Sequence, residues 1–328
     1  MPEISKSPNV VSTSHVEAIQ RPLCPEQLYR YCSVYLFAGL GILLRIVIVE
    51  SSSSIGTARF FGSSYFIPNL LGCFCLGFLS QIATIKGLRQ IVSPCLTSGF
   101  CGSLTTLSSW QLHVVSELLL KGYVFDAFIN TIACCSAFYA MYGLGRHAFD
   151  ATSLKHDSIS DLPANTLRIY THTTTTLTVL VALILVIILG VGGGGSGRPH
   201  ILCALLGSLG ALCRYKLSTY NPKGANGLFP YKYTLLANIC GCIIIFIVDG
   251  FAPVDLQVIG QGYIWNDIVY AVAVGFCGSL TTVSSFIGEL YKLNNNKTIR
   301  DRRNLYVYGI TTFFSSQVLG CLILFSRT

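Results

Sequence analysis

Apolar residues in this chain gather into nine long runs, at 32–49, 65–84, 93–118, 125–145, 174–191, 200–217, 231–248, 267–290 and 305–325. Each lies near the roughly 20 residues that a helix needs to cross a bilayer. Each is read as a helix, because a backbone facing lipid must satisfy its hydrogen bonds within its own segment. Ahead of them, residues 1–31 are polar, carry Pro2, Pro8, Pro22 and Pro25, and contain no apolar stretch of signal-peptide type. A disordered tail is expected there, with the first run itself directing insertion.

The runs also repeat. Residues 99–110, Gly-Phe-Cys-Gly-Ser-Leu-Thr-Thr-Leu-Ser-Ser-Trp, return at 275–286 as Gly-Phe-Cys-Gly-Ser-Leu-Thr-Thr-Val-Ser-Ser-Phe. Gly41-Ile-Leu-Leu-Arg45 matches Gly210-Ala-Leu-Cys-Arg214, and Asn69-Leu-Leu-Gly72-Cys73 matches Asn238-Ile-Cys-Gly241-Cys242. The chain therefore divides into a tail, a first four-helix repeat over 32–146, a linker over 147–199 and a second four-helix repeat over 200–328. An odd connecting span at 174–191 turns the second repeat over, so the pattern predicts an all-α polytopic membrane protein of two inverted repeats. That span has no ionisable residue, is followed by Gly192 to Gly195, and reads as a topological linker.

Composition adds class and orientation. With 52% apolar and 11% charged residues in 328, and a mean hydropathy of +0.60, the chain holds more hydrocarbon than one soluble core buries. Of its 22 lysines and arginines, 16 fall on the side of the N-terminal tail, and only Arg59, Lys121, Arg198 and Arg327 on the other. This bias predicts a cytosolic N-terminus and an extracellular C-terminus. It also accounts for the net charge of +8 without nucleic acid. The glycosylation sequon Asn296-Lys297-Thr298 then lies in a cytosolic loop and is expected to stay unmodified. Among the 14 cysteines, the close pairs Cys73/Cys75, Cys134/Cys135 and Cys240/Cys242 sit at helical offsets that face apart, and are read as packing residues.

The candidate chemistry is neutral. Gly99, Gly102, Gly275 and Gly278, each group followed by paired threonines, weaken the third helix of each repeat near the bilayer midplane. Breaks there free backbone groups that make a cation site from carbonyls, an anion site from half-helix N-termini, or simply close helix packing. Asn69 and Asn238 either tie helices together or present an NH2 to a solute. Arg45 and Arg214, close to span ends, act as anchors that snorkel or cap carbonyls, or form an electropositive vestibule. Glu50, Asp126, Asp249 and Glu289 lie at or near span ends and no Asp, Glu or Lys occupies a span centre, which favours passive conduction over coupled pumping. His113, the one histidine well inside a span, reads as packed. No nucleophile-base pair or phosphate loop is present in the sequence, so no enzyme is expected. Hydroxyls at Ser108, Ser109, Ser284, Ser285, Thr311, Thr312, Ser315 and Ser316, with the positive ring edges of Trp110 and Phe286, suit a small, strongly hydrated anion that is partly stripped of water.

These residues resemble the Fluc and FEX fluoride channels over nearly the whole stretch 32–325. The likeness rests on Gly-x-x-x-Arg in the first helix, Asn-x-x-Gly in the second and the Gly-Phe-Cys-Gly-x-Leu-Thr-Thr-x-Ser-x-aromatic run in the third, all present twice. The four-plus-one-plus-four plan is similar to the eukaryotic two-domain form, in which one chain replaces an antiparallel dimer. The resemblance implies a passive, fluoride-selective channel of the plasma membrane, working as a monomer, that lets the membrane potential drive fluoride out and so confers resistance. It implies a structural sodium ion held by the main-chain carbonyls of Gly102, Thr105, Gly278 and Thr281. The fluoride pathway is expected at Asn69, Asn238, Trp110, Phe286, Ser108, Ser284, Thr312 and Ser316.

The chain departs from that family where a first pore phenylalanine is expected, with Leu107 and Val283, and one position beyond the second aromatic, with Gln111 against Ile287. One of the two routes is therefore expected to be degenerate, with Asn69 and Asn238 of unequal importance. Two other readings remain: an inverted-repeat transporter of another small solute, and a non-conducting structural member of the same fold.

Overall fold

The computed structural model describes residues 25–52, 61–62, 64–84, 93–119, 121–152, 197–222, 229–252, 264–296 and 298–325, and scattered positions between 169 and 184. The expected tail through residue 24 and most of the expected linker span at 174–191, with its glycine stretch, lie outside the described residues. Everything else that was read as a span is helical. The helices are α1 (Pro25–Ser52), α2 (Phe66–Ile82), α3 (Ser93–Cys101, wide-wound, running on through Gly102–Leu104), α4 (Ser108–Leu119) and α5 (Val124–Asp150). In the second part of the chain they are α6 (Arg198–Ser218), α7 (Lys232–Phe251), α8 (Ile264–Tyr270, wide-wound over Ala271–Cys277 and ending in Gly278–Leu280), α9 (Val283–Asn295) and α10 (Ile299–Phe325). Among the described residues, six helical stretches are long and apolar enough to cross a membrane, and Phe66–Ile82 is a shorter apolar one. The protein is thus a polytopic, all-helical membrane protein.

Helix boundaries differ from the hydropathy reading at the bundle ends, because a helix continues past the hydrocarbon wherever its polar turns find partners. α1 reaches back to Pro25 and buries Tyr29, whose carbonyl accepts from Ser33 Oγ at 2.7 Å. α10 starts at Ile299 rather than 305, with Thr298 closing its first turn by accepting from Asp301 N at 3.0 Å and donating to Asp301 Oδ2 at 2.7 Å. Thr298 belongs to the sequon, of which Lys297 is outside the described residues.

Glycines set the packing in matching pairs. A Cβ on Gly41 would stand 2.5 Å from Phe100 O, and one on Gly210 would stand 2.5 Å from Phe276 O. α1 thus lies on α3, and α6 on α8, backbone against backbone. α1 and α6 cross each other, with Ser208 Oγ donating to Tyr35 O at 2.9 Å and the Tyr31 and Tyr215 rings edge to face. The main core is aromatic and draws on both repeats. Phe313 of α10 stands edge-on between Trp110 of α4 at 5.0 Å and Phe286 of α9 at 5.5 Å.

Candidate ion pathway

The breaks expected in the third helices are present. After the short Gly102–Leu104 turn the chain becomes extended at Thr105 (φ −94°, ψ 151°), and after Gly278–Leu280 it does the same at Thr281 (φ −89°, ψ 157°). An interrupted helix leaves amide donors open at the start of the next one. Here each break closes the other. Thr105 Oγ1 accepts from Ser284 N at 3.2 Å at the start of α9, and Thr281 Oγ1 accepts from Leu107 N at 3.2 Å and Ser108 N at 3.1 Å at the start of α4. Hydroxyl pairs reinforce the crossing, Thr105 with Ser284 at 3.0 Å and Thr281 with Ser108 at 3.1 Å. Ser108 and Ser284, expected along a pathway, are therefore engaged at this crossing.

Gly102 and Gly278 have a second role. The guanidinium of Arg214, from α6, occupies the space where a Cβ on Gly102 would go, and that of Arg45, from α1, occupies the same space at Gly278. Neither arginine snorkels: they are only 2% and 4% exposed, Arg45 and Arg214 respectively. Arg214 donates to Ser98 O at 2.9 Å and to Ser279 O at 2.8 Å, while Arg45 donates to Val274 O at 2.5 Å. Each thus reaches from one repeat to the wide-wound helix of the other, where loose winding leaves carbonyls available.

A group of three or more His, Cys, Asp or Glu that could hold a metal is absent among the described residues. Any cation at the crossing would need neutral oxygens. The two extended threonines supply main-chain carbonyls freed from the helical ladder. Beside them the hydroxyls of Ser103 and Ser279 are buried without a hydrogen-bond partner. A hard monovalent cation fits that oxygen-only setting.

The two expected asparagines differ. Asn69 is engaged at both ends: its Nδ2 donates to Thr106 O at 3.0 Å and its Oδ1 accepts from Thr106 N at 2.8 Å. Asn238 Oδ1 makes the equivalent contact with Thr282 N at 2.9 Å, but its Nδ2 is buried with no partner.

The surroundings differ in the same sense. α10 packs on α7, the helix of Asn238, and on it the Thr312 and Ser316 hydroxyls, both buried, donate back at 2.7 Å to the carbonyls of Tyr308 and Thr312, while Phe286 of α9 packs on Tyr308 and Phe313. At the equivalent places in α5, the same 178 residues earlier, stand Cys134 and Phe138. Beyond Asn69, Trp110 Nε1 and Tyr65 OH both donate to Asn130 Oδ1 at 3.0 Å, and Asn130 Nδ2 donates to Phe61 O at 3.0 Å. Tyr65 also bonds Phe61 O. α2 and α5 meet so closely that a Cβ on Gly77 would strike the Tyr142 carbonyl and one on Gly145 the Phe74 carbonyl. Trp110, expected on a pathway, is thereby a tied core residue, and His113 is half-buried against the Tyr65 ring at 5.7 Å.

Thr282, whose N–H donates to Asn238, lines a cavity of about 680 Å³ that both repeats surround, with Thr234, Arg214, Ser285, Glu289 and Lys292 from the second and Ser80, Gln81, Ser98 and Arg146 from the first. Glu289 accepts from Thr234 Oγ1 at 2.8 Å and from Tyr308 OH at 2.6 Å. Thr234, Glu289 and Tyr308 occupy the places that Tyr65, His113 and Asn130 occupy in the first repeat. Glu289 was read as a span-end charge. Its spacing of one helical turn from Phe286 was the available signal that it shares that residue's face.

A helical bundle threaded by two broken helices that close each other, with a polar cavity at one end, is the architecture of a membrane protein built to handle a small solute. The chain belongs to the family described as CrcB-like protein, Camphor Resistance (CrcB), which matches it twice, over residues 32–146 and 201–325. Among its relatives is fluoride-specific ion channel FluC 1 of Lactobacillus delbrueckii subsp. bulgaricus, 35% identical over 119 residues, covering 36% of this chain and 86% of the relative. Another is fluoride-specific ion channel FluC 2 of Staphylococcus saprophyticus, 33% identical over 113 residues, covering 32% of this chain and 90% of the relative. FluC 2 of Bacillus licheniformis is 26% identical over 114 residues, covering 35% and 83%. No solved structure matches.

Proposed function

We propose that the chain is a passive, fluoride-selective channel of the plasma membrane that exports fluoride and so confers resistance to it. In this reading the nine spans form two inverted repeats, the N-terminus is cytosolic, the C-terminus extracellular and the monomer suffices. The observation that carries the proposal is Asn238 Nδ2, a buried donor without a partner, on the amide whose Oδ1 accepts from Thr282 N, Thr282 being one of the residues that line the polar cavity. A buried donor left open costs about 1–3 kcal/mol, and a small anion would satisfy it.

The route runs from the cavity past Asn238 and the Phe286 edge to the hydroxyls of Thr312 and Ser316. Each hydroxyl can turn from its helix carbonyl to the anion, exchanging one hydrogen bond for a charge-assisted one. Neutral donors strip water without trapping the ion, as rapid passage requires. The counterpart past Asn69 is a sealed relic, since both ends of its amide are tied to Thr106 and Cys134, Phe138 and the Trp110–Asn130–Tyr65 knot fill it. A sodium ion at the crossing, held by the carbonyls of Gly102, Thr105, Gly278 and Thr281, would supply fixed positive charge and tie the breaks together.

Valinomycin-driven fluoride efflux from potassium-loaded liposomes, with chloride in parallel, tests the reading. Release of fluoride alone is expected, and no release above protein-free liposomes from folded protein would overturn it. Glu289, a carboxylate on the cavity, is the feature that favours coupled transport instead. That reading requires efflux to follow an imposed pH gradient at zero membrane potential, whereas the channel reading requires it to follow the potential.

A further inference from the structure

A second large concavity lies on the side of the bundle, between α4 and α5 of the first repeat and α9 and α10 of the second. Its volume is about 670 Å³, inside the ~300–1,000 Å³ range of ligand pockets. Val114 and Leu290 form its floor with Phe313, and Gly309 on α10 leaves it open. The floor residues Val114 and Leu290 are 2% and 7% exposed, while the ridges on either side carry the exposed rings of Phe128 and Phe314.

The lining is mainly apolar, and two polar pairs close across the groove: Gln317 Nε2 donates to Thr131 Oγ1 at 3.4 Å and Asn294 Nδ2 to Tyr139 OH at 2.9 Å. Water there would lack the two to four partners that hold it in place. An empty groove would forgo the dispersion contacts of its whole lining. Apart from Val114 and Leu118 on the shorter α4, the lining residues lie on stretches long and apolar enough to cross a membrane, which puts hydrocarbon against the opening. Val181, one of the described positions between the two repeats, lies with Tyr35, Leu36 and Leu205 on the α1 and α6 face and not in this groove.

We propose that this groove is a binding site for an acyl chain of a bilayer lipid, seated on Phe313. The chain packs there by shape, since lipid hydrocarbon and the groove are equally apolar and only the filled concavity distinguishes them. Phe313 is also the ring that both Trp110 and Phe286 meet edge-on, so the seated chain supports the aromatic centre from outside. The site stands on packing alone and does not depend on the fluoride reading.

The test is to reconstitute the full-length protein in phosphatidylcholine vesicles bearing a diazirine on the acyl chain, irradiate, and map adducts by mass spectrometry. Adducts are expected on the floor, at Val114, Leu290 and Phe313, as well as on the ridges at Phe128 and Phe314. Gly309→Phe points a ring into the groove, its Cβ position being 3.7 Å from Leu290 Cδ2. It should cut floor adducts several-fold and leave ridge adducts unchanged. Wild-type adducts confined to the ridges would overturn the proposal, whether the groove is empty or filled by a second copy. So would floor adducts that persist in folded Gly309→Phe, and the wild-type map decides the matter if that variant does not fold.

Discussion

At the residue scale, the two asparagines show how identical local words acquire different chemistry. Asn69 and Asn238 each precede a Gly-Cys pair by the same spacing, yet only Asn69 completes two bonds to a backbone. Asn69→Ala is expected to destabilise the protein by about 1–3 kcal/mol for each Thr106 group left open, read as a lower Tm in detergent, while fluoride efflux per folded molecule persists. Asn238→Ala is expected to abolish efflux from liposomes. Equal loss of flux from the two would contradict a single working route. The candidate residues were legible because both motif copies name them, and their inequality was expected from Leu107, Val283, Gln111 and Ile287; which of the two keeps an open donor was not legible, since that depends on neighbours far away in sequence. The reach of Arg45 and Arg214 was hidden for a related reason. A side chain's destination across a repeat interface depends on the crossing of α1 and α6, and no local pattern encodes it.

At the scale of elements, hydrocarbon length located the helices and the Gly-Ser-Leu-Thr-Thr run located the breaks. That the two breaks meet was expected from the repeat and from a sodium site drawing on both; the exchange of hydroxyl and amide between Thr105 and Ser284 and between Thr281 and Ser108 was not legible, because it depends on the detailed crossing. Thr105→Val removes the acceptor at the start of α9 and Thr281→Val the one at the start of α4. Either is expected to cost about 1 kcal/mol, the usual worth of a cap, by thermal or denaturant unfolding. Ser284→Ala added to Thr105→Val should cost less than the sum of the two, because they share one interaction. Gly77→Ala or Gly145→Ala should cost about 1–3 kcal/mol through overpacking, since each Cβ meets a main-chain carbonyl that can yield only if α2 and α5 separate.

For the whole molecule, the basic ends share one side. Arg146, Lys292 and the ends of α2, α6 and α7 surround a single cavity, as the charge bias across the loops anticipates. Asn296, beside that side, is expected to carry no glycan, and an endoglycosidase that leaves electrophoretic mobility unchanged checks it. If sodium occupies the crossing, replacing it with a large organic cation should lower Tm, by an amount corresponding to about 2.7 kcal/mol when sodium stands at a hundred times its dissociation constant.

The mutual closure of the two breaks also has a consequence in time. The hydroxyl that closes the start of α4 belongs to Thr281, 173 residues after the Ser108 amide that it receives. At about 5–20 residues per second, roughly 10–35 s of synthesis separate the two. Throughout that interval the first repeat sits in the membrane with its interrupted helix unsealed, and whatever shelters those amides until the second repeat arrives, water or the insertion machinery, is a participant in making this protein.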